Sequence, residues 1–216
     1  MAKLVKGIIA AMVTSMNDDE SLNFEEIKNQ VNRQIAAGVD GVFCLCTNGE
    51  AYIQSEDEKL RVIETVVKAA DGRVPVYAGT GMPGTADTIR LSRKAKELGV
   101  DVLSVISPYF AAISQDELYN HYAELAGAVD LPIVMYNMPA RTGNNLNPDT
   151  VAKLSKIPNI VGVKDSSGNF DNMKQYIELT DPETFSVLSG NDALILWNLL
   201  AGGAGGITAV ANIYPE

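Results

Sequence analysis

Histidine is almost absent: His121 is the only one in 216 residues. Catalysis built on a histidine base, or a histidine-rich metal site, is therefore not expected, and no metal is assigned. Cysteine is nearly as scarce. Cys44 and Cys46 stand two apart in an apolar segment, so strand alternation puts them on one face, where they suit neither a zinc site nor a structural disulfide. Buried, reduced thiols are expected. Positive charge is short, with 17 basic against 27 acidic side chains and a net charge of −10. That argues against nucleic acid and anionic membrane as partners, although a small anionic substrate needs only a local set of donors. No apolar run reaches the roughly 18–20 residues that cross a bilayer, and Met1–Lys6 lacks a signal-peptide layout, so a cytoplasmic protein without a membrane partner is expected.

What is present is an alternation of short apolar runs with amphipathic stretches. The spacing predicts strands at Gly7–Met16, Gly41–Cys46, Val74–Gly79, Val102–Ser107, Leu131–Tyr136, the Val161–Lys164 run, Ser186–Ser189 and Gly206–Val210. Helices are predicted from an Asn23 cap to Ala37, from Ser55 to Ala70, and over Thr85–Leu98, Ser114–Ala128, Pro148–Lys156, Phe170–Thr180 and Asp192–Ala201. Ser55 with Glu58 three residues on reads as a capping box, and Phe24, Ile27, Val31 and Ile35 recur at helical spacing.

Helix between successive strands demands parallel strands joined by right-handed crossovers. Eight such strands, several with polar groups just past their C-terminal ends, fit a (β/α)8 TIM barrel better than an open sheet. No phosphate-binding glycine loop follows the first strand, which counts against a dinucleotide fold. The whole of residues 1–216 reads as one α/β domain. Only Asn212–Glu216 lie beyond the last strand and its end, too few for a covering helix, so the barrel is expected to be C-terminally incomplete or covered there by another chain. Its flank at strands one and eight would then be apolar and prone to self-association.

The stretch Val161-Gly162-Val163-Lys164-Asp165-Ser166-Ser167-Gly168 carries the chemistry. Alternation points both valines one way and Gly162 and Lys164 the other. Burial among apolar neighbours disfavours an ammonium and favours a free amine that attacks carbonyls; the alternative is a lysine snorkelling from an edge strand. Tyr136 ends the adjoining strand, either as a proton shuttle for imine chemistry or as a core aromatic with its hydroxyl satisfied. Thr47-Asn48-Gly49 offers a hydroxyl, an amide and backbone N–H groups to a carboxylate, or is an ordinary Asn-Gly turn. Arg141 either forks onto a second carboxylate or sits on the surface.

The segments CTNGE (46–50), YNMPARTG (136–143), VGVKDSSG (161–168) and GGITAVAN (205–212) resemble, in order and along the whole chain, the motifs of the dihydrodipicolinate synthase and N-acetylneuraminate lyase family. The resemblance implies a metal-free, cofactor-free class I carbon–oxygen/carbon–carbon lyase on a TIM barrel, assembled as a dimer or homotetramer and extended by a C-terminal helical region. It implies that Lys164 forms a Schiff base with pyruvate, that Tyr136 donates and accepts protons, and that Thr47 relays them. Asn48 stands where the family usually has a threonine or serine for the pyruvate carboxylate. Ile207 would give pyruvate a backbone contact, and Arg141 matches the arginine that binds the aldehyde partner's carboxylate. Phe110 follows Tyr109 where the synthases usually have a second tyrosine that completes the relay across a dimer interface, and Cys46 replaces a glycine. The implied reaction is condensation of pyruvate with aspartate semialdehyde in lysine biosynthesis. The alternatives are cleavage of a 2-keto-3-deoxy sugar acid or of N-acetylneuraminate, or a non-catalytic keto-acid sensor.

Overall fold

The structure is a computed structural model and describes residues 5–216. Eight parallel strands close into a barrel in sequence order: β1 (Gly7–Ala11), β2 (Gly41–Cys44), β3 (Val76–Gly79), β4 (Val102–Ile106), β5 (Ile133–Asn137), β6 (Ile160–Asp165), β7 (Ser186–Ser189) and β8 (Gly205–Thr208). β8 pairs with β1, with Ile9 opposite Ile207, which closes the ring. Around it run α1 (Phe24–Ala36), α2 (Glu56–Ala70), α3 (Thr85–Glu97), α4 (Gln115–Ala128), α5 (Pro139–Thr142), α6 (Pro148–Leu154), α7 (Phe170–Leu179) and α8 (Ile195–Leu200).

Strand alternation sorts the apolar residues into two layers. Ile9, Ala11, Phe43, Tyr77, Val102, Val134, Leu188 and Ile207 fill the barrel interior. Their neighbours Ala10, Val42, Ala78, Leu103, Val105, Ile133, Met135 and Val187 face outward and pack against Ile27, Val31, Val62, Ile63, Val66, Leu118, Leu125 and Met173 of the helices. Each fully buried aliphatic side chain stabilises by about 1.5–3 kcal/mol relative to exposure.

The helices start where local chemistry starts them. The Asn23 side chain accepts the Glu26 N–H at 3.0 Å, and Ser55 and Glu58 form the expected capping box; a second one, Ser114 with Glu117, opens α4. These groups satisfy N–H donors that a helix leaves free in its first turn.

Strand ends differ from the expected ones for identifiable reasons. The first strand stops at Ala11 rather than Met16, because the Val13 N–H turns to the Asn212 side chain at 3.1 Å and Met16 joins an isolated antiparallel bridge with Leu22. β3 and β5 begin two residues late, each just after a proline without an N–H, Pro75 and Pro132. β8 runs Gly205–Thr208 and not to Val210, since Val210–Asn212 coil into a 3-10 turn. The last predicted helix is a 3-10 turn, Asp192–Leu194, running into α8. α5 was not expected. Pro139 at its first position and Gly143 in the left-handed region at its end build one turn inside the β5 loop.

Two expectations about which way side chains point are overturned. Leu45 adopts φ 58, which breaks alternation: Cys44 packs outward with the helix layer and Cys46 packs inside the barrel. The cysteines do not share a face, though both are buried and unpaired. In β6 the register slips opposite Ile133/Val134, a bulge that sets Val161 in the interior and Val163 outside. Gly162 pairs with Val134 and Ser186. A Cβ there would stand 2.6 Å from the Ser186 carbonyl oxygen, so only glycine fits.

Candidate active site

At the C-terminal mouth of the barrel lies a cavity of about 1100 Å³. Thr47, Asn48, Tyr136, Arg141, Lys164 and Ile207 all line it, so the residues singled out by sequence converge on one space. Lys164 is buried at 3% exposure on a strand flanked on both sides; an edge-strand snorkel is excluded. Tyr136 and Lys164 are direct register partners, and the Lys164 Nζ sits 4.0 Å from the Tyr136 ring centroid and 5.3 Å from that of Phe43, within cation–π range. Room for the amine comes from Gly190, where a Cβ would stand 2.7 Å from Lys164 Cε.

The residues one step further along these two strands knit them together from outside. Asp165 is fully buried and is the register partner of Asn137. Its carboxylate accepts the Asn137 amide at 2.8 Å and the Ser167 hydroxyl at 2.7 Å. Burial pushes its pKa up, against those hydrogen bonds, which pull it down. The Asn137 amide also meets the Tyr176 hydroxyl at 3.2 Å, its carbonyl accepts the Leu146 N–H at 3.0 Å, and Tyr176 donates to the Leu146 carbonyl. Buried networks satisfied in this way fix geometry.

The Thr47 hydroxyl lies 3.2 Å from the Tyr136 hydroxyl, so the expected pair forms. Asn48 departs from expectation. Its amide N–H donates to the Ala11 carbonyl at 2.8 Å, which holds the loop to the end of β1 and takes up one donor proposed for a carboxylate. Arg141 is exposed on α5 at the rim, makes no ion pair among the described residues, and is free to meet an anion. Phe110 is fully exposed at φ 83, a conformation uncommon for a bulky side chain; it is absent from the cavity lining, whereas Tyr109 lines it, with its phenol pKa raised by burial.

Met138 and Lys59 are among the lining residues that escaped the sequence reading. Met138 Sδ lies 2.8 Å from the Tyr136 hydroxyl and 3.7 Å from that of Thr47; its spacing of two from Tyr136 was the available signal. Lys59 is buried on α2 with its Nζ 3.9 Å from Met82 Sδ, and burial lowers its pKa. A lysine on the same stripe as Val62 and Val66 was legible as unusual. No group of three or more His, Cys, Asp or Glu among the described residues is arranged to hold a metal. Inside the barrel, burial raises the pKa of the Cys46 thiol, and on the outside it pushes Cys44 up to about 12, so both are poor nucleophiles.

A sequence profile described as the dihydrodipicolinate synthetase family matches residues 4–216. The chain belongs to that family. The 4-hydroxy-tetrahydrodipicolinate synthase of Haloarcula marismortui is 43% identical over 97% of this chain and 68% of its own length. That of Methanospirillum hungatei is 41% identical over 99% of this chain and 74% of its own. Among solved structures, the Aquifex aeolicus dihydrodipicolinate synthase superposes with a TM-score of 0.94 at 36% identity, covering 98% of this chain and 72% of that one. The pyruvate complex of the Acinetobacter baumannii synthase gives 0.95 at 37% identity, covering 97% and 72%. The family's barrel is thus the fold described above, and the relatives extend beyond the part this chain spans.

Proposed function

We propose that this chain is a pyruvate-dependent synthase that works through an imine at Lys164, condensing pyruvate with aspartate semialdehyde as a 4-hydroxy-tetrahydrodipicolinate synthase. The observation that carries this reading is the register pair: a buried amine and a phenol on adjoining strands, facing one cavity, with a threonine hydroxyl 3.2 Å from the phenol.

Lys164 adds to the pyruvate ketone, and the carbinolamine loses water as Tyr136 supplies the proton to the departing oxygen. Loss of the C3 proton to the Tyr136 phenolate gives an enamine, whose carbon attacks the aldehyde; the new alkoxide takes that proton back from Tyr136, and attack of the aldehyde's own amino group on the imine carbon closes the product ring and displaces Lys164 as the free amine. The backbone N–H groups of Thr47 and Asn48, Ile207 on β8 and the remaining capacity of the Asn48 side chain hold the pyruvate carboxylate, the Gly49 N–H being bonded to the Cys46 carbonyl. Arg141 takes the carboxylate of the aldehyde. The setting is cytoplasmic, with a dimer or tetramer as the working form; no helix among the described residues is long and apolar enough to cross a membrane.

A second reading has a specific basis. Phe110 carries no hydroxyl, and the Asn48 amide is engaged with Ala11, which favours cleavage of a 2-keto-3-deoxy sugar acid or of N-acetylneuraminate by the same imine chemistry. Steady-state turnover over a panel separates the two. The synthase reading expects its highest kcat/KM with pyruvate and aspartate semialdehyde; faster release of pyruvate from a keto-deoxy acid would replace it with the second. Binding of pyruvate without turnover of any partner would make the chain a sensor.

A further inference from the structure

We infer that Met138 sets the direction of the hydrogen bond between Thr47 and Tyr136, acting as the terminal acceptor of the relay and so as a positioning residue for proton donation by Tyr136. This rests on the imine reading above. Three groups meet at one point: the Tyr136 hydroxyl, the Thr47 hydroxyl at 3.2 Å from it, and the Met138 sulfur at 2.8 Å from the phenol and 3.7 Å from the threonine. A hydroxyl donates one hydrogen and accepts others, whereas a thioether sulfur only accepts. Both hydroxyls can aim a hydrogen at that sulfur, and the phenol at 2.8 Å is much nearer than the threonine at 3.7 Å, so the phenol hydrogen takes it. With that hydrogen committed, the Thr47–Tyr136 bond has one arrangement left, with Thr47 as donor and the phenol oxygen as acceptor.

The order is thus Thr47 to Tyr136 to Met138. Accepting from Thr47 stabilises negative charge growing on the phenol oxygen, so Tyr136 is set up to give its proton away. Sulfur is a weak acceptor, so an oxygen arriving from substrate competes with it for the same hydrogen. Phe110, which has no hydroxyl and stands fully exposed, supplies no acceptor for the phenol; the sulfur takes that place. Met138 is half-buried and lines the cavity beside Arg141, so it meets the relay from the substrate side.

The test uses the full chain with Met138→Leu and Met138→Gln. Leucine keeps the apolar volume and removes the acceptor; glutamine keeps the length and offers a carbonyl oxygen. A packing role would rank leucine above glutamine. The acceptor role ranks them the other way: kcat for condensation falls about tenfold in Met138→Leu, with KM for pyruvate little changed, and recovers at least in part in Met138→Gln. Exchange of the pyruvate C3 hydrogens in D2O, followed by proton NMR, should slow in the same order. Borohydride trapping with pyruvate accompanies each assay. Adduct at Lys164 in all three proteins, with Met138→Leu as fast as the parent or faster than Met138→Gln, overturns the inference and leaves the imine reading standing. No adduct in the parent chain overturns the imine reading itself.

Discussion

The two walls of the cavity are built on different terms. On the β5–β6 side, Tyr136 and Lys164 are nearly buried, and the next residues along, Asn137 and Asp165, are fully buried and bonded to each other, to Ser167 and to Tyr176. On the β2–β4 side the lining residue Leu45 turns through positive φ, and Tyr52, which also lines the cavity, is 65% exposed. Lys164 stands beside a satisfied buried network, while the opposite rim presents an aromatic side chain to solvent. On the proposed reading, chemistry common to every partner aldehyde falls to the rigid wall and discrimination between partners to the open one.

Substitutions break this contrast in a definite order. Removing the amine with Lys164→Ala is expected to lower turnover by at least about 10³-fold, with the fold retained, because Lys164 is the amine that stands over the Tyr136 ring; circular dichroism and steady-state rates check both halves. Next, the network behind the lysine: Asp165→Ala leaves the Asn137 amide and the Ser167 hydroxyl without their carboxylate, and an unfolding loss of about 2–4 kcal/mol is expected in urea titration. The loss should come with a lower kcat, since Tyr136 and Lys164 are no longer clamped.

Acid probes the helix layer behind β4. His121 accepts or donates at Nδ1 to the Thr85 hydroxyl at 2.9 Å, leaves Nε2 buried without a partner, and packs edge-on to Tyr122. Burial lowers its pKa from 6.5 to about 4, so between those values the unfolded chain binds a proton that the folded chain refuses. Stability is therefore full above about pH 6.5 and falls as pH drops toward 4, by on the order of 3 kcal/mol. His121→Gln should flatten that slope in thermal melts across the window. Smallest in stability is Phe110→Tyr, a change at a fully exposed side chain expected to stay within about 0.5 kcal/mol. Its effect should appear in activity alone, as a rise in condensation rate if a hydroxyl there rejoins the relay.

The rigid wall was also the more legible one. Apolar runs alternating with helical patterns placed eight strands and the barrel, because a parallel strand buried on both faces is written as a run of apolar residues. They put Lys164 and Tyr136 on adjoining strands, as the structure has them, and the motif resemblance implies the roles proposed for them. What escaped were backbone events with no side-chain pattern of their own. Leu45 at positive φ separated Cys44 from Cys46, and the bulge in β6 turned Val161 inward against Val163. The engagement of Asn48 with Ala11 depends on where β1 ends, which an apolar run such as GIIAAMVTSM does not mark. Met138 and Lys59 were visible as spacing anomalies, yet only the folded cavity brings a thioether onto the relay and an amine onto its lining.

The central claim is that Lys164 is the nucleophile. Incubation with pyruvate and sodium borohydride, followed by peptide mapping in a mass spectrometer, tests it most directly. The account predicts one reduced pyruvate adduct per chain, on the peptide containing Lys164, and none in Lys164→Ala. An adduct on Lys59 or another lysine, or none on the folded parent chain, would contradict it.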